Sequence, residues 1–495
     1  MSSAQEHVKV VIVGAGFSGL GLAIRLKERG VGDFVVLERA DDVGGTWTAN
    51  TYPGLTCDIP SHLYSFSFAP NPNWSQTYSP QPEIRDYLRR CADRFGVRSH
   101  LRTNVTVDAA SWLEDEQLWE LETTAGTYTA EILVSAMGPL TEPKLPDIPG
   151  LASFEGKVMH SARWDHDYDL ADKRVASIGT GASAIQYVPE IAGAVEELYV
   201  FQRTAPWIMP HGNRVITDFE RSLYRRFPLA QQLVRAGVHA SRELLVLGFA
   251  KEPRLMRLLE RLSRAHIQKQ ISDPELLRDV TPDYTIGCKR IVPSNRWYPT
   301  LEQPNVELVT GGLQEARARS VVDSRGVERD VDAIVLGTGF HVTDLPIAYQ
   351  VRGRSGALLE DVWQGSPRAY LGTSIPGFPN FFMLLGPNTG LGHGSMVYMI
   401  ESQIEHIRNA IATTEEAGAT IEVRPEAHEA FNRDLDARMR GTVWDIGGCS
   451  SFYLDRTGRN ATIWPDWTWR FRRLATRSDM SAYQLSSPKP AVTVA

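Results

Sequence analysis

Gly14, Gly16 and Gly19 stand in G-x-G-x-x-G spacing directly after a short apolar run, Val8 to Val13, and before a helical stretch, Leu20 to Arg29. A strand, a tight turn and a helix in that order bring backbone N–H groups and the positive end of a helix up to a pyrophosphate, and the glycines permit the close approach. One such motif alone is weak. Here a second strand, Phe34 to Leu37, follows and ends in Glu38, an acid placed to accept hydrogen bonds from a ribose diol.

The arrangement recurs. A strand at Arg174 to Ile178 leads into Gly179, Gly181 and Ala184, then a helical stretch, Ile185 to Ile191, and a second strand, Glu197 to Phe201. Arg203 lies 24 residues after Gly179, as Glu38 lies 24 after Gly14, so a base replaces the acid. Taken alone, Arg203 would be a solvated residue at a strand end. The matched spacing instead gives it a 2'-phosphate to bind, through charge-assisted hydrogen bonds that a carboxylate there would forbid. The first unit therefore suits FAD and the second NADPH. Together they imply electron transfer from a nicotinamide to a flavin, because neither cofactor alone requires both units.

Two further stretches carry a family resemblance. FEGKVMHSARWD, residues 154 to 165, resembles the fingerprint F-x-G-x-x-x-H-x-x-x-W-[P/D] of Baeyer-Villiger monooxygenases through Phe154, Gly156, His160, Trp164 and Asp165. GGTWTANTYPGLTCDIPSHLYSFSF, which follows Glu38, is similar to the second motif of that family through Gly44, Gly45, Trp47, Tyr52, Pro53, Gly54 and Asp58. The likeness runs over nearly the whole chain and includes KRIV at Lys289 to Val292, GTGF at Gly337 to Phe340 and LLGPNTGLGH at Leu384 to His393.

The resemblance implies that NADPH reduces FAD, that O2 adds to give a flavin C4a-peroxide, and that this attacks a ketone to give an ester or lactone. Both the peroxide and its tetrahedral adduct carry negative charge, so a fixed cation beside the flavin is worth roughly several kcal/mol in a water-poor site. The matching assigns this catalytic role to Arg290, a positioning role to Asp58 and the NADPH phosphate to Lys289. It also implies cofactor contacts for Arg39, Thr46, Trp47, Tyr64, Thr180, Ser183, Thr204, Gly339, Phe340 and Met396, beside Gly45 and the nucleotide-unit residues. His160 is read as orienting the two nucleotide domains rather than as catalytic. The chain departs from the family at His341, where many relatives have Asp, and at Phe452, where Trp is expected.

Three other functions compete. An N- or S-oxygenating flavin monooxygenase shares Phe154, Gly156 and His160 but not usually the Trp164-Asp165 pair. A disulfide reductase requires a close cysteine pair at the flavin, where only Cys57 is available. A flavin-binding sensor would bind FAD without ketone-stimulated NADPH oxidation.

The elements that must position these residues predict an α/β chain with two Rossmann-like dinucleotide-binding domains and a helical insertion. FAD is assigned to 1–140 and 341–495, NADP to 154–210 and 282–340, and the helical insertion to 211–281. Within it, 218–270 alternates basic and apolar residues, as in PRLMRLLERLSRAHIQKQ. A membrane-surface helix is the rival reading, disfavoured because acids interrupt the charged face. The aromatic cluster Trp444, Trp464, Trp467 and Trp469 reads as core, with a pocket wall as the other possibility.

With 495 residues, two or three domains are expected. Hydrophobic residues at 42% and charged residues at 22% fit a folded globular chain, and a net charge of −7 without a basic cluster excludes nucleic acid as a partner. The four cysteines, Cys57, Cys91, Cys288 and Cys449, are too far apart in sequence for a zinc set or a CxxC pair to be built from neighbours, so a reducing compartment and no metal are expected. The N-terminal residues do not read as an export signal and no apolar run is long enough to span a bilayer, so a cytoplasmic protein is expected, a monomer or weak homo-oligomer without stable membrane association. The tail from Ser478 reads as disordered.

Overall fold

The computed structural model describes residues 5–477 and 480–486. Two sheets dominate it, the first mixed and the second wholly parallel. The first runs, in spatial order, 351–352, 107–113, 118–123, 126–135, 5–13, 34–37 and 101–102, with 381–383 added beside 126–135. Its centre is the strand Gln5–Val13, parallel to both neighbours, with Val10 to Val13 all buried. Burial of consecutive residues follows from covering both faces. Val10 and Ile12 pack into a cluster with Phe17, Leu20, Ile24, Ile404 and Ile407 from two helices, while Val11 and Val13 join Trp119, Trp363 and Phe381 on the other side. The chain 107–135 turns back antiparallel on itself, which sequence reading did not foresee.

The second sheet is wholly parallel, in the order 306–310, 197–202, 174–178, 333–336, 157–160. The architecture is thus α/β with two Rossmann-like units, and each has a helix opening from its glycine turn: α1, Phe17–Glu28, and α2, Ala182–Ile191. Both helices start three residues before the apolar periodicity suggests, because the glycine turn itself supplies the first turn.

Between 211 and 281 the chain is helical, as expected, with Asp218–Arg226 followed by α3, Pro228–Glu243, and α4, Met256–Gln270. The glycine-rich loop 386–394 leads into α5, Met396–Ala417, whose first turn is capped by Ser395 accepting from the Val397 N–H at 3.2 Å.

Two expectations are corrected. Cys288 and Cys449 form a disulfide although 161 residues separate them, so the chain does not carry four free thiols; Cys57 and Cys91 are free and buried. Spacing in sequence reports only pairs made by neighbours, and this one is closed by the fold. The tail is not disordered throughout: Tyr483–Ser486 pairs antiparallel with Thr420–Val423, and the Tyr483 ring is buried beside His406. Residues 478–479 and 487–495 lie outside the described residues. Trp444 and Trp464 are core side chains, Trp467 is half-buried, and Trp469 is half exposed.

Candidate active site

The two glycine turns are near copies. Gly14 and Gly179 have φ of +104° and +105°, and each N–H donates to the carbonyl at the end of the following strand, Leu37 at 2.8 Å and Phe201 at 3.0 Å. A Cβ on Gly14 would lie 2.7 Å from the Ala136 carbonyl oxygen, and one on Gly179 2.6 Å from that of Gly337. Gly19 is fixed by contact rather than by φ, since a Cβ there would sit 1.9 Å from the Gly14 oxygen. Ala184, the tolerated replacement in the second unit, is fully buried. Helices α1 and α2 begin with no side-chain cap and no acid in the first turn. The helix Asp218–Arg226, by contrast, has a complete capping box at Thr217 and Glu220. The orphan N–H groups of α1 and α2 are therefore open to an anion.

Glu38 is buried at the end of the second strand, accepting from the Ala15 N–H at 2.6 Å and the Ala40 N–H at 2.9 Å. Its carboxylate thus lies across the mouth of the first glycine turn. Gly45 closes the same turn from the other side, where its Cβ would come within 2.8 Å of the Gly16 Cα. Thr46 opens the short helix Thr46–Ala49, and Trp47 donates from Nε1 to the Tyr64 hydroxyl at 3.2 Å. Burial pushes the Tyr64 pKa up, so the hydroxyl stays protonated. Arg39 does not face inward: it pairs with Glu142 at 2.8 Å on the surface.

In the second unit Arg203 and Thr204 are exposed, and the Thr180 hydroxyl lies 3.4 Å from the Thr204 carbonyl. Among the described residues, neither Arg203 nor Lys289 has a carboxylate within ion-pair distance; Lys289 lies over the Tyr284 ring at 5.0 Å. Burial and the charge of Arg203 hold the Lys289 pKa down against the pull of Asp283. Two cations that feel each other and lack a counter-ion suit a dianionic group. Ser183, in the first turn of α2, is half-buried.

Arg290 and Asp58 come together although 232 residues separate them. Nε and Nη2 of Arg290 donate to Asp58 Oδ2 at 2.9 and 2.6 Å, and Nη1 donates to the Leu391 carbonyl at 2.9 Å. Both side chains are 23% exposed. Burial works against the charge on Arg290, but Asp58, Tyr453 and Cys57 outweigh it and hold the guanidinium protonated. Tyr453, buried beside this pair, has its pKa pushed up to about 12 by desolvation, partly offset by Arg290. The two-stranded pairing of Ile208–Met209 with Val292–Pro293 anchors the segment that carries Lys289 and Arg290.

Several contacts escaped sequence reading. Gln186 on α2 accepts from the Tyr52 hydroxyl at 3.1 Å and donates to the Thr56 carbonyl at 3.0 Å, so the 44–68 stretch is clamped to the second nucleotide unit. Gly54 is required there, because a Cβ would meet the Gln186 carbonyl at 2.9 Å. His160 is buried, accepts from the Ala162 N–H at 3.0 Å and packs edge-on to Phe340; burial pushes its pKa down to about 4. Trp164 packs on Tyr187 of α2, and Asp165 takes Lys157 as its partner. These contacts suit orientation of elements, not proton transfer. His341 pairs with Asp344 at 2.7 Å, which returns an acid close to the place where relatives carry one, and Phe452 is half exposed against Tyr453.

Residues 11–221 match the family model described as pyridine nucleotide-disulphide oxidoreductase. A Baeyer-Villiger monooxygenase of Streptomyces coelicolor is 51% identical over 488 residues, covering 98% of this chain and 94% of that one. A Baeyer-Villiger monooxygenase of Pseudomonas aeruginosa is 49% identical, covering 98% and 93%. Among solved structures, the closed form of cyclohexanone monooxygenase superposes with a TM-score of 0.87 at 30% identity, covering 98% of this chain and all of that one. An oxidised steroid monooxygenase bound to NADP gives 0.84 at 31%, covering 97% of this chain. Paired nucleotide units together with a half-buried, acid-bound arginine fit a flavoprotein monooxygenase. Within that class the chain belongs to the Baeyer-Villiger monooxygenases.

Proposed function

We propose that Arg290, positioned by Asp58, is the fixed cation of a reaction that inserts one atom of O2 beside a ketone carbonyl and yields an ester or lactone. The chain is an FAD- and NADPH-dependent enzyme of this kind. Bound FAD, once reduced by NADPH, supplies the activated oxygen. The residues fit both cofactors: uncapped helix starts behind glycine turns for two pyrophosphates, Glu38 at one ribose, and Arg203 and Lys289, with no carboxylate at ion-pair distance among the described residues, at a 2'-phosphate.

The single observation that carries the reading is the Arg290–Asp58 ion pair, made by two residues from distant motifs. Asp58 occupies one edge of the guanidinium and the Leu391 carbonyl takes Nη1, so the cation is held in one orientation before substrate arrives. A charge fixed in advance stabilises a developing oxyanion without reorganisation at the moment of reaction. Partial burial strengthens it by excluding water.

On this reading Gly14, Gly16, Gly19, Glu38, Gly45, Thr46, Trp47, Tyr64 and Met396 serve FAD. Gly179, Thr180, Gly181, Ser183, Ala184, Arg203, Thr204, Lys289, Gly339 and Phe340 serve NADPH. The FAD domain is 1–140 with 341–495, the NADP domain 154–210 with 282–340, and the insertion 211–281. The protein acts in the cytoplasm as a monomer or weak homo-oligomer. Arg39, tied to Glu142 on the surface, is left out of the FAD set.

The deciding experiment follows NADPH consumption over a panel of linear, cyclic and bulky ketones under labelled O2, with product mass recorded. One labelled oxygen in an ester or lactone is expected. Reductant consumed only to hydrogen peroxide with every ketone, or oxygen appearing only on added amines and sulfides, would defeat the reading.

A further inference from the structure

The insertion helices turn an unusual face to solvent. On α3 the side chains that pack inward are Gln231, Arg235, Val238, His239 and Glu243. The opposite side, at helical spacing, carries Leu229, Leu233, Ala236 and Ala240, and continues into Leu244 and Leu247. All are exposed, Leu229 and Leu233 at 66% and Leu244 at 62%. On α4 the buried side is Met256, Ser263 and Ile267, and the outward stripe is Leu255, Leu258, Leu262 and Ala265, with Leu258 at 64%. Ordinary surface helices place such stripes on the core, and an exposed apolar stripe on a helix with basic residues beside it marks an interaction site.

Charge identifies the occupant. Residues 211–281 hold thirteen Lys and Arg against eight Asp and Glu, a net of +5 within a chain of net −7. On α4, Arg257, Arg261 and Arg264 run in a row beside the leucines, continuing from Arg254 just before the helix, and all four are exposed. The two acids within α3 and α4, Glu243 and Glu260, are turned away from it, while Glu252, between the helices, is exposed and lies 3.8 Å from Arg254. Glu243 is buried and accepts from the Thr468 N–H at 3.0 Å and its hydroxyl at 2.6 Å. Glu260 is half-buried and accepts from the Ile286 N–H at 3.2 Å. Among the described residues, Arg257, Arg261, Arg264 and Lys269 have no carboxylate within ion-pair distance.

We propose that α3 and α4 dock the enzyme on the surface of an anionic lipid bilayer, leucines into the acyl boundary and arginines at the headgroups. No helix among the described residues is long and apolar enough to cross a membrane, so the protein would lie on the surface. A second copy fits less well: two-fold pairing would bring these arginines against their own copies.

The test floats the FAD-loaded enzyme with phosphatidylcholine vesicles containing about 30% phosphatidylglycerol, and with pure phosphatidylcholine vesicles. Recovery with the anionic vesicles should be about tenfold higher, and should collapse in roughly 0.5 M salt as the charges are screened. The double variants Leu233→Ser with Leu258→Ser, and Arg257→Gln with Arg261→Gln, should each lower it at least about fivefold. Bound flavin and NADPH oxidation in solution should be unchanged in both, which confirms folding. Recovery no greater than with neutral vesicles would overturn the proposal. So would a concentration-dependent dimer in light scattering that the leucine variant disperses, since the face would then belong to a second copy.

Discussion

Truncating Arg290 to alanine removes the cation bound to Asp58 while leaving the nucleotide turns untouched. The variant should keep its yellow flavin and lose about 10²- to 10³-fold in oxygenation, the range for losing one preorganised donor at a developing oxyanion. Normal ester yield from it would remove Arg290 from the chemistry. Asp58→Ala tests the positioning partner through stability, because it leaves a largely buried guanidinium with the Leu391 carbonyl as its remaining hydrogen-bond acceptor among the described residues. It should destabilise the fold by about 3 kcal/mol, read in urea unfolding. Arg203→Ala tests the second unit. Loss of charge-assisted bonds to a phosphate should raise the KM for NADPH at least about tenfold and leave that for NADH nearly unchanged. Equal effects on both coenzymes would move Arg203 away from the 2'-phosphate.

At the level of elements, Gly19 joins sequence to architecture most directly. Alanine there would press its methyl on the Gly14 carbonyl oxygen, so α1 must move off the strand Gln5–Val13. Overpacking of this kind costs about 2 kcal/mol, and the purified variant should contain less than half the normal flavin. Such units are legible in a sequence because their constraints are local: a turn with positive φ, an uncapped helix, a residue at a set offset. The Arg290–Asp58 pair was legible only through family likeness, since no local rule links positions 232 residues apart. What could not be read was tertiary throughout. Gln186 has no signature as a clamp for Tyr52 and Thr56, and Tyr453 declares its place beside Arg290 only once the C-terminal segment is folded over it. The tail strand is short and polar-flanked, and forms because Thr420–Val423 offers it an edge. Glu243 and Glu260 interrupt the basic pattern in the sequence and point inward in the fold.

For the molecule as a whole, buried imidazoles set the acid limit. Burial pushes His62, His160 and His406 from an ordinary 6.5 down to about 4. The unfolded chain therefore binds protons in that window that the native state refuses. Stability is complete above pH 6.5 and falls as the pH drops towards 4, by ~1.4 kcal/mol per pH unit for each proton. Urea midpoints at about pH 7 and about pH 5 should differ accordingly, and equal midpoints would place these rings in water. The bond between Cys288 and Cys449 has a different, topological effect. It closes the backbone between them into a ring threaded through both sheets, so a protease that cuts anywhere inside that ring opens it without separating the ends. Clipped protein should therefore migrate as one species on a gel run without thiol and as two once a thiol is added.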